Sequence, residues 1–520
     1  MKGIGWPAAL AVGAMLAACL GPPPRTGPPP MAGRGSVIDT LPIRAHTSFL
    51  ASDLLAGRGT GAPGADLAAA YIAAQCRGLG LRPLGNDFVQ AVPLVEAVVD
   101  SAALLVRTAD GERRYEYPRD FLPDFGGERG LAGFAGPAVY GGSPIALNGL
   151  PDVRGGVVVT AAPLGERTLL DSLSRRGAAG LLQIVPGSTV FGLYRTSRGA
   201  SRMAVAEAGV QTSLLPTLPW ILGAPHLARD LDLATLPLKA DLAVQLHLTR
   251  RPVAGQNVAC LLPGSAAGAR DTAIVFTAHY DHLGVAAPDE RGDSIYNGFS
   301  DNAAGVGMLL AIAQAMGRGP GEPMRHSVIF LFPTAEERGL LGSDYYAARP
   351  LWPLERTVGV INLDAGAPPA PPTSWRIAGG DRSPLGTLAM DVALAHGWSA
   401  TTSPATPNSD YYPFVRSGVP AIFIVPGPGP YEGLTSDSSV RLQRAWNRYH
   451  QAGDAWAPDF PFRGLQRYAE YAYLVARALD RGGEPERERP IRRNDRRSET
   501  KTGDQNSPVF AAVSQLGQPE

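Results

Sequence analysis

The chain reads as an α/β protein: a mostly parallel central sheet flanked by helices, with a smaller β-rich domain inserted into it. From Asn257 on, continuous apolar runs of strand length, AIVFTAH (273–279), SVIFLFPT (327–334), TVGVINLD (357–364) and AIFIV (421–425), alternate with helical patterns such as 301–316. Strands apolar on both faces are the mark of a parallel sheet covered on both sides. Between about 98 and 252 the pattern changes to short β-type runs, including GGVVVT (155–160) and GLLQIV (180–185), with a helical stretch between them that ends at Gly177. A length of 520 residues also exceeds one ordinary domain.

Taken in order, residues 1–19 carry Lys2 ahead of an apolar stretch from Trp6 to Ala18 that stops at Cys19. This is shorter than the roughly 20 apolar residues of a membrane span, so it reads as a cleaved export signal. Leu16-Ala17-Ala18-Cys19 resembles a bacterial lipoprotein signal. That resemblance implies an exported protein held to a membrane by lipid on Cys19, in the periplasm or at the outer membrane, since Leu20 replaces the Asp that retains lipoproteins inside. A signal cut nearby, giving a secreted protein, is the alternative. Residues 20–40 are a Pro/Gly-rich linker. Residues 41–97 open the main domain with a helix over 65–78, apolar at Leu67, Ala70, Tyr71 and Ala74 and stopped by Gly78 and Gly80. Residues 98–252 form the insert, 253–482 complete the main domain, and 483–520 are a charged tail expected to be disordered.

With 45% hydrophobic and 18% charged residues the chain buries a sizeable core, and 47 basic residues balance 47 acidic ones. No broad field therefore argues for nucleic acid. Beyond Cys19 only Cys76, in a helical pattern, and Cys260, in a strand-like one, remain. They are too few for a thiolate metal site. Export permits a disulfide between them, but nothing in the sequence brings their Cα atoms within the roughly 7 Å that bridging requires, so two buried free thiols are the expectation and the disulfide is the alternative.

Five metal-ligand-type residues follow one another in the second half: His279, Asp301, Glu337, Asp364 and His450. His279, Glu336, Glu337 and Asp364 fall at or just past predicted strand ends, where open α/β sheets form their sites. Imidazole with carboxylate suits zinc, and Asp301 is the natural bridge between two ions. Alone, Asp301 reads as the N-cap of the helix that it opens. Asp281 follows His279 on the same side of an extended chain, where its carboxylate would bond the far imidazole nitrogen. Adjacent Glu336 and Glu337 diverge, so that one binds metal while the other acts as general base. The Tyr449 phenol is placed to donate to a developing oxyanion. His282, in the polar turn His-Tyr-Asp-His, is given no role.

HYDHLG, SDNAAG, TAEERGLLGS, INLDAG, NSDYYPF and YHQAGD, in order from about 257 to 480, resemble the motif series of the zinc aminopeptidase family that also includes glutamate carboxypeptidases, transferrin-receptor ectodomains and glutaminyl cyclases. Residues 54–85 are similar to the segment that begins the catalytic domain in relatives carrying an insert, and 98–252 resemble a protease-associated domain. The likeness implies a zinc-exopeptidase fold and two Zn2+ per chain, one on His279 and Asp364, the other on Glu337 and His450, with Asp301 between them. It also implies Glu336 as general acid/base, Asp281 as orienter of His279, Tyr449 as oxyanion partner, and peptides as substrates. Where relatives often carry Ser-Asp-His, this chain has Ser409-Asp410-Tyr411, and Ala365 and Gly366 follow Asp364 where bulkier residues are frequent.

The expected activity is removal of N-terminal residues from peptides. A carboxypeptidase needs a cation for the terminal carboxylate, for which Arg416 and Arg376 are the candidates. Glutaminyl cyclases usually have Trp where Tyr449 stands, and an inactive binding ectodomain would have lost the ligands. No Gly-x-Ser-x-Gly elbow supports a serine hydrolase.

Overall fold

The computed structural model describes residues 36–482 apart from 125–132, 144, 146, 162–166, 189, 193–200, 208, 211, 213–217, 287, 320 and 428. The signal at 1–19 with Cys19, the linker up to residue 35 and the tail at 483–520 lie outside the described residues. Among the described residues no helix is long and apolar enough to cross a membrane.

The body opens with helices α1 (Thr40–Leu50) and α2 (Pro63–Gly78). Asp39 caps α1, and α2 starts where Pro63 presets the first-turn φ. Then come β1 (Val89–Thr108), β2 (Gly111–Glu116), β3 (Phe121–Asp124), β4 (Phe134–Tyr140), β5 (Val157–Thr160), α3 (Arg167–Arg175), β6 (Gly180–Ile184), β7 (Ser201–Val205), β8 (Trp220–Gly223) and β9 (Asp241–Leu262). The main elements that follow are β10 (Ala273–Thr277), α4 (Ala304–Arg318), β11 (Ser327–Phe332), α5 (Leu341–Ala348), β12 (Thr357–Asn362), β13 (Ser374–Ala378), α6 (Pro384–Ala395), β14 (Ser399–Ser403), β15 (Ala421–Pro426) and α7 (Arg463–Gly482).

The main sheet runs β14-β13-β15-β12-β10-β11-β9. Its centre, β15-β12-β10-β11, is parallel, whereas β9 joins β11 and β13 joins β15 antiparallel. The edge pair β13–β14 is parallel as well, so the sheet is mostly parallel, with two antiparallel joints. The runs that gave no alternation in polarity are buried on both sides: Ile274 and Phe276 face the core under α1, α4, α6 and α7, and Ala273 and Val275 face the one under α5. Burying each large side chain of this kind contributes about 1.5–3 kcal/mol.

The block at 98–252 has apolar clusters of its own, one around Leu104, Phe121, Val159, Leu182 and Leu242, another around Val158, Leu173, Leu181 and Leu222. Within it β4, β5, β6 and β8 pair in parallel. The borders at 97/98 and 252/253 fall inside strands: β1 and β9 pair antiparallel from Val89↔Val258 to Arg107↔Asp241, with one irregularity at His247/Leu248.

The expectation of free thiols is corrected here. Cys76 of α2 and Cys260 of β9 form a disulfide with their Cα atoms 6.2 Å apart. The helix packs across the strand, a long-range approach that neither local pattern records. The bond closes a loop of 184 residues. Cys76→Ser is therefore expected to lower stability by about 2–5 kcal/mol. A urea midpoint unchanged from that of the parent under oxidising conditions would contradict this.

Candidate active site

Three adjacent strands of the parallel centre deliver the first of the predicted site residues. His279 follows β10, Glu336 and Glu337 follow β11, and Asp364 follows β12, all at carboxyl ends. Asp301 lies just ahead of α4, and His450 comes from the loop before α7. The five predicted ligands converge in one place.

His279 Nε2 is 2.9 Å from Asp364 Oδ1 and 3.2 Å from Asp301 Oδ1. The other oxygen of Asp301, Oδ2, is 3.0 Å from His450 Nε2, which also lies 3.2 Å from Glu337 Oε2. The Asp301 carboxylate thus divides its two oxygens between two groups. Ligand atoms of His279, Asp301 and Asp364 form one cluster able to hold a metal ion, and those of His282, Asp301 and Glu337 form a second. The divergence of the adjacent glutamates is also present: Glu336 Oε2 stands 3.9 Å from His279 Nε2, whereas Glu337 turns to His282 and His450. Ala335, held at φ 56 in the left-handed region, turns the chain just before the pair.

Two expected details differ. Asp301 is not an N-cap: its backbone is extended (φ −132, ψ 91), and Asn302 Oδ1 accepts from Gly305 N at 2.9 Å instead. This leaves the Asp301 carboxylate free for the cleft. Asp281 does hold His279, but through its main-chain carbonyl, which accepts from Nδ1 at 3.1 Å, while its carboxylate stays 3.9 Å away. That carboxylate accepts from Thr60 Oγ1 at 2.6 Å and from Glu336 N at 3.3 Å.

The framework around the ligands contains residues that sequence reasoning passed over. Thr277 Oγ1 donates to Asn362 Oδ1 (2.6 Å), Asn362 Nδ2 to Ser409 Oγ (2.6 Å), and Ser409 Oγ to Asp364 Oδ2. Asp454 accepts from the amides of Ser300 and Asp301. Arg58, fully buried, donates to the carbonyls of Tyr280 (2.7 Å), Asn297 (2.6 Å), Gly298 (2.9 Å) and Leu50. The segment around it docks closely on the HYDH loop: at Gly57 (φ +68) a Cβ would come within 2.5 Å of the Gly284 and Tyr296 carbonyls. The signals for these residues were Asn362 and Ser409, which lie in the INLDAG and NSDYYPF motifs, Asp454, which follows His450 in the same motif, and the glycines that flank Arg58.

Tyr449 is 55% exposed, and its ring stacks on His450 at 3.8 Å between centroids. His450 is itself 36% exposed in its side chain, against 1% for His279, so the cleft opens on the His450 side. Tyr411 packs on Phe423 and its hydroxyl engages Thr406, so the Ser-Asp-Tyr departure places that ring in the core. Arg416 is taken up by the buried Asp344 carboxylate at 2.9 Å, and Arg376 lies on β13.

Crowding of carboxylates sets the electrostatics. Burial, opposed by the His279 imidazole and reinforced by Asp364, Glu337 and Asp410, raises Glu336 well above the usual carboxylate range. Burial and Asp301 push Glu337 up, but hydrogen bonds from His282 and His450 outweigh them and bring it down to about 2. Burial lowers His450, and Asp301 and Glu337 more than reverse this, to about 10. The carboxylates of Asp301, Glu336, Glu337 and Asp364 around the imidazoles of His279, His282 and His450 form an oxygen and nitrogen donor set with an excess of negative charge, which fits divalent cations.

Residues 257–475 match Peptidase family M28. A stretch of 175 residues is 29% identical to probable leucine aminopeptidase 2 of Aspergillus oryzae, covering 30% of this chain and 34% of that protein. Another of 163 residues is 29% identical to aminopeptidase Y of Saccharomyces cerevisiae, covering 30% of each. The matched stretch thus spans about a third of the length of these relatives. Among solved structures, an aminopeptidase from Aneurinibacillus sp. strain AM-1 superposes with a TM-score of 0.52 over 84% of this chain and 93% of that one, at 17% identity, which shows the shared fold.

Proposed function

We propose, from the premise that residues 257–475 belong to peptidase family M28, that the chain is a two-zinc aminopeptidase. The observation that carries this reading is the Asp301 carboxylate, with Oδ1 against His279 and Oδ2 against His450. His279, Asp301 and Asp364 would hold one zinc ion, and Asp301, Glu337 and His450 the other. Ions so held supply Lewis acidity toward a peptide carbonyl and toward water. Glu336, whose carboxyl is raised by burial, accepts the proton of the attacking water at Oε2 and passes it to the leaving amine. Asp281 fixes the ring of His279 through its carbonyl. The exposed Tyr449 presents its phenol at the open side of the cleft as a donor to the oxyanion.

The aminopeptidase activity of the relatives supports the choice among exopeptidases. Pairing of Arg416 with Asp344 removes one candidate for a carboxypeptidase. The block at 98–252 is read as a protease-associated insert bordering the cleft, because Met203 of β7 packs with Ala335 and Leu341 on either side of the glutamates. Export as a lipoprotein anchored through Cys19 is in keeping with the disulfide, which suits an oxidising compartment.

The test is a panel of fluorogenic aminoacyl substrates and N-acetylated peptides, run before and after chelation and after zinc is restored. Hydrolysis confined to free N-termini, lost on chelation and regained with zinc, is expected. Equal turnover of acetylated peptides, or activity that survives prolonged chelation, overturns the reading.

A further inference from the structure

We infer that His282 is a positioning residue for Glu337, tying down one carboxylate oxygen so that the other is presented to Asp301 and His450. The residue lies in a turn whose polarity suggests a solvated surface, yet its side chain is fully buried. Its Nδ1 donates to Glu337 Oε1 at 2.6 Å. The opposite oxygen, Oε2, is the one that lies 3.2 Å from His450 Nε2. A glutamate side chain rotates about three bonds, and fixing one oxygen leaves the other a single direction in which to point.

The ring is itself held in place. Its main-chain nitrogen donates to the Arg58 carbonyl at 3.1 Å. One face abuts Gly298, where a Cβ would come within 2.6 Å of Cγ and Cδ2, so only glycine leaves room for the imidazole. It meets the His450 ring at 61° with centroids 5.7 Å apart. Nε2 has no hydrogen-bond partner among the described residues. Burying an unpaired ring nitrogen is a cost that Phe or Leu would not carry. The feature that sets His apart at this position is the Nδ1 bond to Glu337.

This rests on the two-metal reading, and the experiment separates the two. Metal-stripped parent, His282→Phe and His282→Asn are titrated with Zn2+ against a chromogenic chelator, and the visible spectra of their Co2+ forms are recorded. Phe keeps the volume without the donor, and the Asn amide nitrogen takes the place of Nδ1. In His282→Phe one of the two equivalents is expected to bind about 10- to 100-fold more weakly, with a changed Co2+ spectrum. In His282→Asn most of that affinity should return. Equal affinity for both equivalents in parent and Phe variant overturns the role of His282, as does an Asn variant as weak as the Phe one. A parent that takes up fewer than two equivalents overturns the two-metal reading instead. Melting of the metal-free proteins accompanies the titration, and a Phe variant that no longer folds, with no recovery in the Asn variant, counts against the role as well.

Discussion

Glu336→Ala is expected to lower kcat by about 10³-fold, within the range of a general acid/base, while both zinc equivalents still bind. Glu336 stands 3.9 Å from His279 Nε2 and belongs to neither cluster able to hold a metal ion. Its loss should therefore reach the chemical step and not the metals. The neighbouring Glu337→Ala provides the contrast, since that residue accepts from both His282 and His450. Parallel measurement of kcat and of zinc content decides the matter. Near-native hydrolysis by Glu336→Ala, or loss of zinc from it, removes the assigned role.

Asp301→Ala should be the most damaging single change among the ligands, because its two oxygens serve two groups at once. Loss of a shared ligand weakens both ions, and Lewis-acid stabilisation worth several kcal/mol corresponds to about 10³-fold or more in rate. The expected result is a protein that retains less than one zinc after dialysis and shows no measurable turnover. Asp364→Ala, which touches the His279 group alone, should keep the second ion. Two tightly bound equivalents in Asp301→Ala would show that the carboxylate does not bridge.

The residues that converge in the cleft were visible in the sequence because strand ends in a parallel sheet are marked by apolar runs, and the polar residue that closes each run is easily seen. His279 after AIVFTA and Asp364 after VGVINL are of this kind. Residues that reach the cleft through the backbone carry no such mark. Asp281 acts by its carbonyl, and Arg58 gathers four carbonyls from segments as much as 240 positions away. His282 was hidden for a related reason: a turn composed of His, Tyr, Asp and His looks solvated until the N-terminal segment is seen to cover it. The same limit applies to the Cys76–Cys260 bond, since helix and strand patterns record what each segment buries and not which partner it meets. The mixed direction of the sheet was equally hidden, because an antiparallel strand buried on both faces has the same composition as a parallel one.

The long β1/β9 ladder means that the block at 98–252 is not a pendant module but shares a continuous beam with the C-terminal half: Val258 and Cys260 seat one end in the main core, Leu242 and Val244 the other in the block's own cluster. Grafts that exchange this block between relatives therefore require junctions before Val89 and after Leu262. A splice at the compositional border would saw the beam in two and leave a frayed edge beside β11.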